Sequence, residues 1–120
     1  MAIVNDGLNV FAANMVGSGI EVSDIAYGSS GASYSATDSS LASEKGREAI
    51  IYKDLSTPAE VTYNTSFTPT EVSGTVAKEF GTFTSGNVML NREVMTGSFV
   101  FNGTQEFHIQ HTIKFNISGA

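Results

Sequence analysis

Residues 107–115 read FHIQHTIKF, and this stretch decides the fold class. Phe107, Ile109 and Ile113 occupy one parity of the stretch, and polar residues occupy most of the other. A two-residue period is typical of a β-strand with one buried and one exposed face, since a helix needs apolar positions three and four residues apart. The stretch therefore predicts a long closing strand.

The two histidines of this strand are spaced in a way that argues against a metal or catalytic pair. His108 and His111 are three residues apart, so their side chains leave opposite faces of a sheet. His108 belongs to the polar row and is expected to be solvated. His111 lies in the apolar row, where an imidazole needs a hydrogen-bond partner. We therefore predict that His111 is a satisfied core or interface histidine.

Most of the chain from residue 47 to residue 117 shows the same strand character. The segments are REAIIYKDL, AEVTYNTSF, VAKEFGTF, NVMLNREVM, SFVF and the closing strand, separated by Pro- and Gly-containing turns. The pair Asn102-Gly103 favours the left-handed backbone of a two-residue hairpin turn, so the strands on either side of it are predicted to be antiparallel neighbours. Residues 1–120 are expected to form a single, mainly β domain: an antiparallel sandwich or partly closed barrel.

One helix is predicted at the N-terminal end, over about residues 6–16. Asn5 is placed to cap its start and Gly17 to end it. The apolar residues at helical spacing are Leu8, Phe11, Ala12, Met15 and Val16. We expect this stripe to lie on a sheet or on a neighbouring subunit.

A long loop follows at residues 28–40, with the sequence GSSGASYSATDSS. Its only bulky residue is Tyr34, so the segment does not bury enough apolar surface for a regular core element. Loops of this length are usually functional or mobile. Thr37 or Asp38 is expected to cap a short helical turn from Leu41 to Glu44.

The surface composition favours a protein that packs against copies or neighbours. Of the 120 residues, 41% are hydrophobic and only 15% are charged, below the roughly 25% charged fraction of an ordinary soluble domain. Ser, Thr, Asn and Gly must therefore cover much of the surface. The formal net charge of −6 argues against a nucleic-acid partner.

The N-terminal 19 residues predict neither a secretion signal nor a membrane span. They lack a basic leader, and asparagines and an aspartate interrupt their apolar part. We expect synthesis in a cytoplasm, no export by a cleaved signal, and no membrane partner.

No motif in the sequence predicts an enzyme, and we expect no catalytic residues and no cofactor. The chain has no cysteine, which excludes disulfides and thiolate chemistry, and no Gly-x-Ser-x-Gly elbow. Asp38 and Glu44 lie in an oxygen-rich segment but lack the alternating ligands of a calcium loop, so no metal site is predicted. A calcium site shared between subunits and a glycosidase built on two of the twelve acidic residues remain alternatives.

The sequence also predicts an ion pair beside the long loop. Glu44, Arg47 and Glu79 are placed to form a buried or interfacial ion pair that fixes the loop after Tyr27 to the sheet. The alternative is three unrelated surface charges. Gly81, inside a strand pattern, predicts a bulge or a close backbone approach.

Three segments resemble small virion proteins of tailed viruses, the group that includes tail-collar fibre domains and fibre or baseplate adaptors. The segments are NDGLNVFAANMVGSG, IAYGSSGASYSATDSSLASEKGR and the stretch from VAKEFGTF to the closing strand, and together they cover nearly the whole chain. The residues that carry the resemblance are Asn5, Gly7, Leu8, Thr37, Asp38, Leu41, Glu44, Arg47, Glu79, Gly81, Phe83 and Gly86. Phe80 departs from the small or β-branched residues usual at its position.

The resemblance implies a non-enzymatic structural protein of the virion that forms a symmetric homo-oligomer at the tail, baseplate or fibre base. Its partners would be copies of itself and neighbouring virion proteins. One alternative is a capsid-surface decoration protein, and another is a receptor-binding tail tip that contacts a host glycan through Tyr34 and Tyr63. The expected interface residues are Leu8, Phe11, Met15, Tyr34, Thr37, Asp38, Glu44, Arg47 and His111.

Overall fold

The computed structural model describes residues 3–15, 17, 19–55 and 59–114. Its helices are α1 (Asn5–Met15) and α2 (Pro69–Val72). Its strands are β1 (Val22–Gly28), β2 (Glu44–Ala49), β3 (Tyr52–Asp54), β4 (Glu60–Phe67), β5 (Val76–Thr84), β6 (Met89–Val100) and β7 (Phe107–Lys114).

Two antiparallel sheets face each other. The larger sheet has the strand order β2-β1-β5-β6, and the smaller has the order β3-β4-β7. The mainly β prediction with one N-terminal helix is confirmed, and of the two architectures left open the described residues form the sandwich.

An aromatic cluster fills the space between the sheets. The Tyr27 ring meets the Phe67 ring edge-on at 5.0 Å and the Phe107 ring edge-on at 5.4 Å, measured between centroids. Edge-to-face contact is the favoured geometry for such rings. Because all three side chains are buried, this cluster joins β1 in one sheet to β4 and β7 in the other.

The outer face of the larger sheet is covered as well, by the segment between β1 and β2 and by the residues before α1. A second apolar cluster lies there, formed by Val4, Ala26, Leu41, Phe83 and Met89. Gly81 lies under it, where a Cβ would collide with the Asn91 carbonyl oxygen. The predicted close backbone approach at Gly81 is therefore confirmed.

Helix α1 packs along β6 with a different face from the one predicted. Val10 is buried, while Leu8 and Ala12 of the predicted stripe are exposed and Phe11 is half-buried. The reason is Gly7, where any Cβ would collide with the Leu90 carbonyl oxygen. The side of the helix without side-chain bulk comes closest to the strand, which turns Leu8 outward. The Met15 side chain and Val16, the rest of the predicted stripe, lie outside the described residues.

The predicted hairpin at Asn102-Gly103 is wrong. Gly103 does have a positive φ of 95°, but β6 pairs with β5 and β7 pairs with β4, so the turn carries the chain from one sheet to the other. Backbone bonds keep Phe101 with the first sheet: its N–H donates to the Thr75 carbonyl at 3.1 Å, and its carbonyl accepts from Gly74 N–H at 3.0 Å.

Three further element predictions need correction, and one helix was not predicted. The segments NVMLNREVM and SFVF, predicted as separate strands, contribute to the single strand β6. The helical turn expected up to Glu44 is absent from the described structure, because Glu44 begins β2. The segment REAIIYKDL divides into β2 and β3, which belong to different sheets. Helix α2 was not predicted, although Thr68 and Glu71 form a capping box with Pro69 at its first turn. Residues 115–117 of the predicted closing strand lie outside the described residues.

Candidate functional site

A buried carboxylate holds the long loop, which the structure places at residues 29–43 and which is called the Gly/Ser loop below. Glu79, on β5, is fully buried. Its carboxylate accepts hydrogen bonds from the backbone N–H groups of Ala42 and Ser43 at 2.9 Å and of Ser30 at 3.2 Å. Both ends of the loop are therefore tied to the same side chain.

Arg92, on β6, is the partner of this carboxylate and binds the middle of the loop. Its Nε donates to Glu79 Oε1 at 2.9 Å. Its Nη2 donates to the Ala32 carbonyl at 2.9 Å, and its Nη1 lies 3.4 Å from both the Ser33 carbonyl and Asp38 Oδ2. A loop with little apolar surface is thus ordered by a buried ion pair that is also hydrogen-bonded to backbone, the condition under which buried charges are tolerated.

The electrostatics of this site keep Glu79 ionised. Burial raises the pKa of the Glu79 carboxyl, but the hydrogen bonds from Arg92 and from the three backbone N–H groups lower it, and the net pKa lies below its ordinary value. A charged carboxylate at this position is therefore the stable form in the fold.

Gly28 makes room for the carboxylate. It stands opposite Glu79 in the sheet, and a Cβ there would collide with the Glu79 carboxylate and with the Ser43 carbonyl oxygen. Glycine is required at this position by close approach, since its φ is not in the left-handed range.

The ion pair predicted from the sequence forms with different partners. Glu79 does fix the loop, but to Arg92 and not to Arg47. Arg47 pairs with Glu44 at 2.8 Å on the surface, donates to Asn87 Oδ1 at 2.6 Å, and lies 3.8 Å over the Phe83 ring. Sequence reasoning missed Arg92. Its position inside the apolar segment NVMLNREVM was a signal, because a charged residue within a buried strand needs a buried partner.

Three of the expected interface residues lie in the Gly/Ser loop. The Tyr34 hydroxyl donates to the Ile3 carbonyl, so this side chain links the loop to the segment before α1. Thr37 is exposed, with its hydroxyl 2.9 Å from that of Ser35. Asp38 contacts Arg92 and accepts from Ser35 N–H at 3.0 Å. Asp38 therefore joins the Glu79–Arg92 site, whereas Tyr34 contacts the segment before α1. Leu8 and Phe11 lie on α1 itself.

His111 is buried between the sheets with a polar partner. Its Nε2 lies 3.0 Å from Asn91 Nδ2, and Asn91 Oδ1 accepts from the Thr82 hydroxyl and backbone N–H. The Phe80 ring meets the imidazole edge-on at 5.4 Å. Burial lowers the pKa of His111, so the ring is neutral at pH 7. The satisfied histidine predicted from the sequence is confirmed.

Several large apolar side chains are exposed at the margins of the sandwich. Leu55 is 76% exposed and Ile51 is 70% exposed, both beside the edge strand β3. The others are Leu8 on α1, Tyr52 on β3, and Phe99 and Val100 at the end of β6. The backbone of Met15 ends α1, but its side chain lies outside the described residues.

The described part of the chain shows neither a metal centre nor a spanning helix. Among residues 3–15, 17, 19–55 and 59–114, no group of three or more His, Asp or Glu side chains is arranged to hold a metal ion. Within the same residues, neither helix has the length and apolar character needed to cross a bilayer.

Comparisons with known proteins return no relative of this chain. No protein-family model, no curated protein and no solved structure matches it. Its own residues and contacts therefore carry the functional argument.

Proposed function

We propose that this protein is a non-enzymatic structural subunit that works as a symmetric homo-oligomer. The observation that carries the proposal is the exposure of large apolar side chains at the sheet edges, above all Ile51 and Leu55. Exposed apolar residues beside edge strands are a liability in a solitary protein, and native structures usually cover them. Other subunits are the cover that we propose.

The way in which buried charges fix the Gly/Ser loop supports the same proposal. Glu79 and Arg92 place a buried ion pair under a loop that could otherwise have been mobile, and they fix its outward shape. A fixed loop of small residues presents backbone and hydroxyl groups in constant positions, which suits a contact that must be repeated identically in every copy.

The placement in a virion of a tailed virus, at the tail, baseplate or fibre base, is supported by the sequence resemblance described above. Several residues of that resemblance have a physical role in the fold. Glu79 holds the loop, Gly81 allows the outer face to pack, and Gly7 lets α1 approach β6. The capsid-decoration alternative rests on the same features.

Of the two tyrosines expected to contact a glycan in the alternative function, Tyr63 is not accessible. Tyr63 is buried and stands opposite His111 between β4 and β7, so it is not available to a ligand. Tyr34 is bonded through its hydroxyl to Ile3. The scaffold role is therefore the function that we propose.

Imaging of purified particles tests the virion placement. A cryo-EM map should contain density for this sandwich at symmetry-related positions, with the Ile51 and Leu55 surface against another subunit. Particles whose proteins, identified by mass spectrometry, do not include this chain would overturn the placement, and hydrolysis of any host polysaccharide by the purified chain would overturn the non-enzymatic assignment.

A further inference from the structure

The edge strands of the two sheets are not equally protected against pairing with another chain. β2 is rich in charge, with Glu44, Lys45, Arg47 and Glu48. β3 is only three residues long. β6 is irregular, since residues 95–98 stand opposite the single residue Lys78, and Ile3 forms a bridge to its Asn91. Charge, shortness and bulging are the devices by which native proteins block edge pairing.

Strand β7 has little of this protection, since its one Asp, Glu, Lys or Arg residue is Lys114 at its end. It runs for eight residues from Phe107 to Lys114, contains neither glycine nor proline, and pairs with β4 without a register shift. Buried and outward-facing residues alternate along its whole length. Among the described residues no strand pairs with its other edge. β7 is therefore an open template for one more strand.

We propose that this edge pairs with β7 of a second copy of the chain, antiparallel and centred on Gln110, so that two three-stranded sheets join into one six-stranded sheet. The inference rests on the proposed homo-oligomer and specifies one of its contacts. A twofold axis perpendicular to the sheet keeps each face on its own side. Residues opposite each other must then have the same parity, which restricts the possible registers.

Charge selects the register centred on Gln110. It places Glu106, the residue before β7, opposite Lys114 of the partner subunit, and the symmetry repeats this pair. Opposite charges across an antiparallel pair are favourable. Within one copy Glu106 lies 2.7 Å from His108 and Lys114 lies 3.6 Å from Glu60, and such exposed pairs are weak enough to rearrange. A register centred on His111 would instead set His108 against Lys114, and one centred on Ile109 would leave Lys114 without an opposite charge.

The buried row is compatible with the same register. Phe107 then stands opposite Ile113 of the partner subunit, and Ile109 stands opposite the partner's His111. Apolar residues thus continue across the junction on the face that lines the core. The outward row pairs polar side chains, with Gln110 opposite its own copy.

An exposed apolar patch borders this edge and adds area to the contact. β6 and β7 lie on the same side of the sandwich, because Asn91 on β6 contacts His111 on β7. At the end of β6, Phe99 and Val100 are exposed, and the Phe99 ring lies 6.3 Å from the Phe107 ring. Pairing of one strand alone buries much less than the roughly 1,600 Å² of a standard interface, so this patch must contribute.

The absence of cysteine from the sequence allows a direct test by disulfide formation. In the proposed register, residue 110 faces its own copy with Cα atoms about 4.5–5.5 Å apart, which is within disulfide range. The Gln110→Cys variant of the full chain, under mild oxidation, should therefore form a covalent dimer. The matched control is His108→Cys, whose two copies would lie about 14 Å apart and should stay monomeric on a non-reducing gel.

A charge swap tests the register independently. Glu106→Lys sets like charges opposite each other across the junction, leaves the Lys114–Glu60 contact within each subunit intact, and should weaken the dimer roughly tenfold. The double variant Glu106→Lys with Lys114→Glu should restore it. Sedimentation equilibrium measures both. If the chain is oligomeric but Gln110→Cys and His108→Cys cross-link equally, or the swap restores nothing, the β7 contact is wrong and the proposed oligomer stands. A chain that is monomeric throughout overturns both.

Discussion

Charged side chains usually lie on a protein surface and large apolar ones inside, but the Glu79–Arg92 site and the surface beside β3 show the reverse. At the first, a carboxylate and a guanidinium are 0% and 2% exposed, while at the second Leu55 and Ile51 are 76% and 70% exposed. The ion pair binds the Gly/Ser loop from below, whereas the Ile51 and Leu55 side chains lie mostly in solvent. The difference teaches that buried charges hold the loop of this fold from inside, while the large hydrophobic side chains at its margin are left in solvent, where we propose that other subunits cover them.

Removing the buried carboxylate should have the largest effect. Glu79→Gln leaves Arg92 buried without a counter-charge, and loss of one partner of a buried pair costs about 3–5 kcal/mol of unfolding free energy. Urea denaturation followed by circular dichroism measures it. Glu44→Gln is the matched control, because that carboxylate pairs with Arg47 on the surface and should cost less than about 1 kcal/mol. Equal losses in the two variants would contradict the comparison.

Filling the space beside the carboxylate should have a smaller effect. Gly28→Ala places a methyl group against Glu79 and the Ser43 carbonyl, and such overpacking costs about 1–3 kcal/mol. The loop should also become more mobile, with faster amide hydrogen exchange at Ser30 and Ser43. Gly97→Ala serves as the control, since a Cβ there meets no atom within 4 Å. A neutral Gly28→Ala variant would mean that the loop is not held as described.

Mild acid should destabilise the protein through His111. Burial holds the pKa of His111 below its usual 6.5, so the unfolded chain takes up the proton first. The contribution of neutral His111 to the free energy of unfolding is fully present above pH 6.5. It falls as the pH is lowered from 6.5 towards the pKa of His111 in the folded protein, by at most about 1.4 kcal/mol per pH unit. His111→Gln should remove this dependence, measured as unfolding midpoints between pH 7 and 5. His108→Gln, on the exposed face, should retain it.

Strong acid should then reach the Glu79 site. The pKa of Glu79 is lowered below its ordinary 4.5, chiefly by Arg92 and the backbone donors acting against burial. Its contribution to stability is therefore present above pH 4.5 and lost as pH falls through the lower, folded value. Arg92→Met should flatten this acid limb relative to the wild-type protein. An unchanged limb would show that another carboxyl governs acid unfolding.

Changes at the exposed apolar surface should affect the monomer least. Leu55→Ser should shift the unfolding free energy by no more than about 0.5 kcal/mol, because the side chain has few contacts to lose. Its effect should appear in self-association, as a raised dissociation constant. A large loss of monomer stability would mean that Leu55 is part of the fold and not of an interface.

The sequence predicted what local periodicity determines and missed what distant contacts determine. The alternation in residues 107–113 predicted β7 and the burial of His111, because successive side chains of a strand point to opposite faces of the sheet. The helix face was wrong because the approach of Gly7 to Leu90, 83 positions away, overrides the bulkier stripe. The Asn102-Gly103 turn was recognised, but turn chemistry does not determine which sheet receives the next strand.

The candidate site shows the same division. Glu79 was predicted, together with Glu44 and Arg47, to form an ion pair that fixes the loop, and the structure bears this out for Glu79. Arg47 was predicted as the cation of this ion pair, whereas the structure supplies Arg92, which lies on a strand whose register the sequence did not define. The exposure of Ile51 and Leu55 was also missed, because the strand pattern alone did not show that the chain changes sheets between β2 and β3.

Sedimentation equilibrium of the intact chain at micromolar concentration tests the central claim most directly. If the exposed apolar residues exist to be covered by other subunits, the measured mass will be a defined multiple of the 12.7 kDa chain, and Leu55→Ser will lower it. A mass of 12.7 kDa that does not change with concentration would contradict the account.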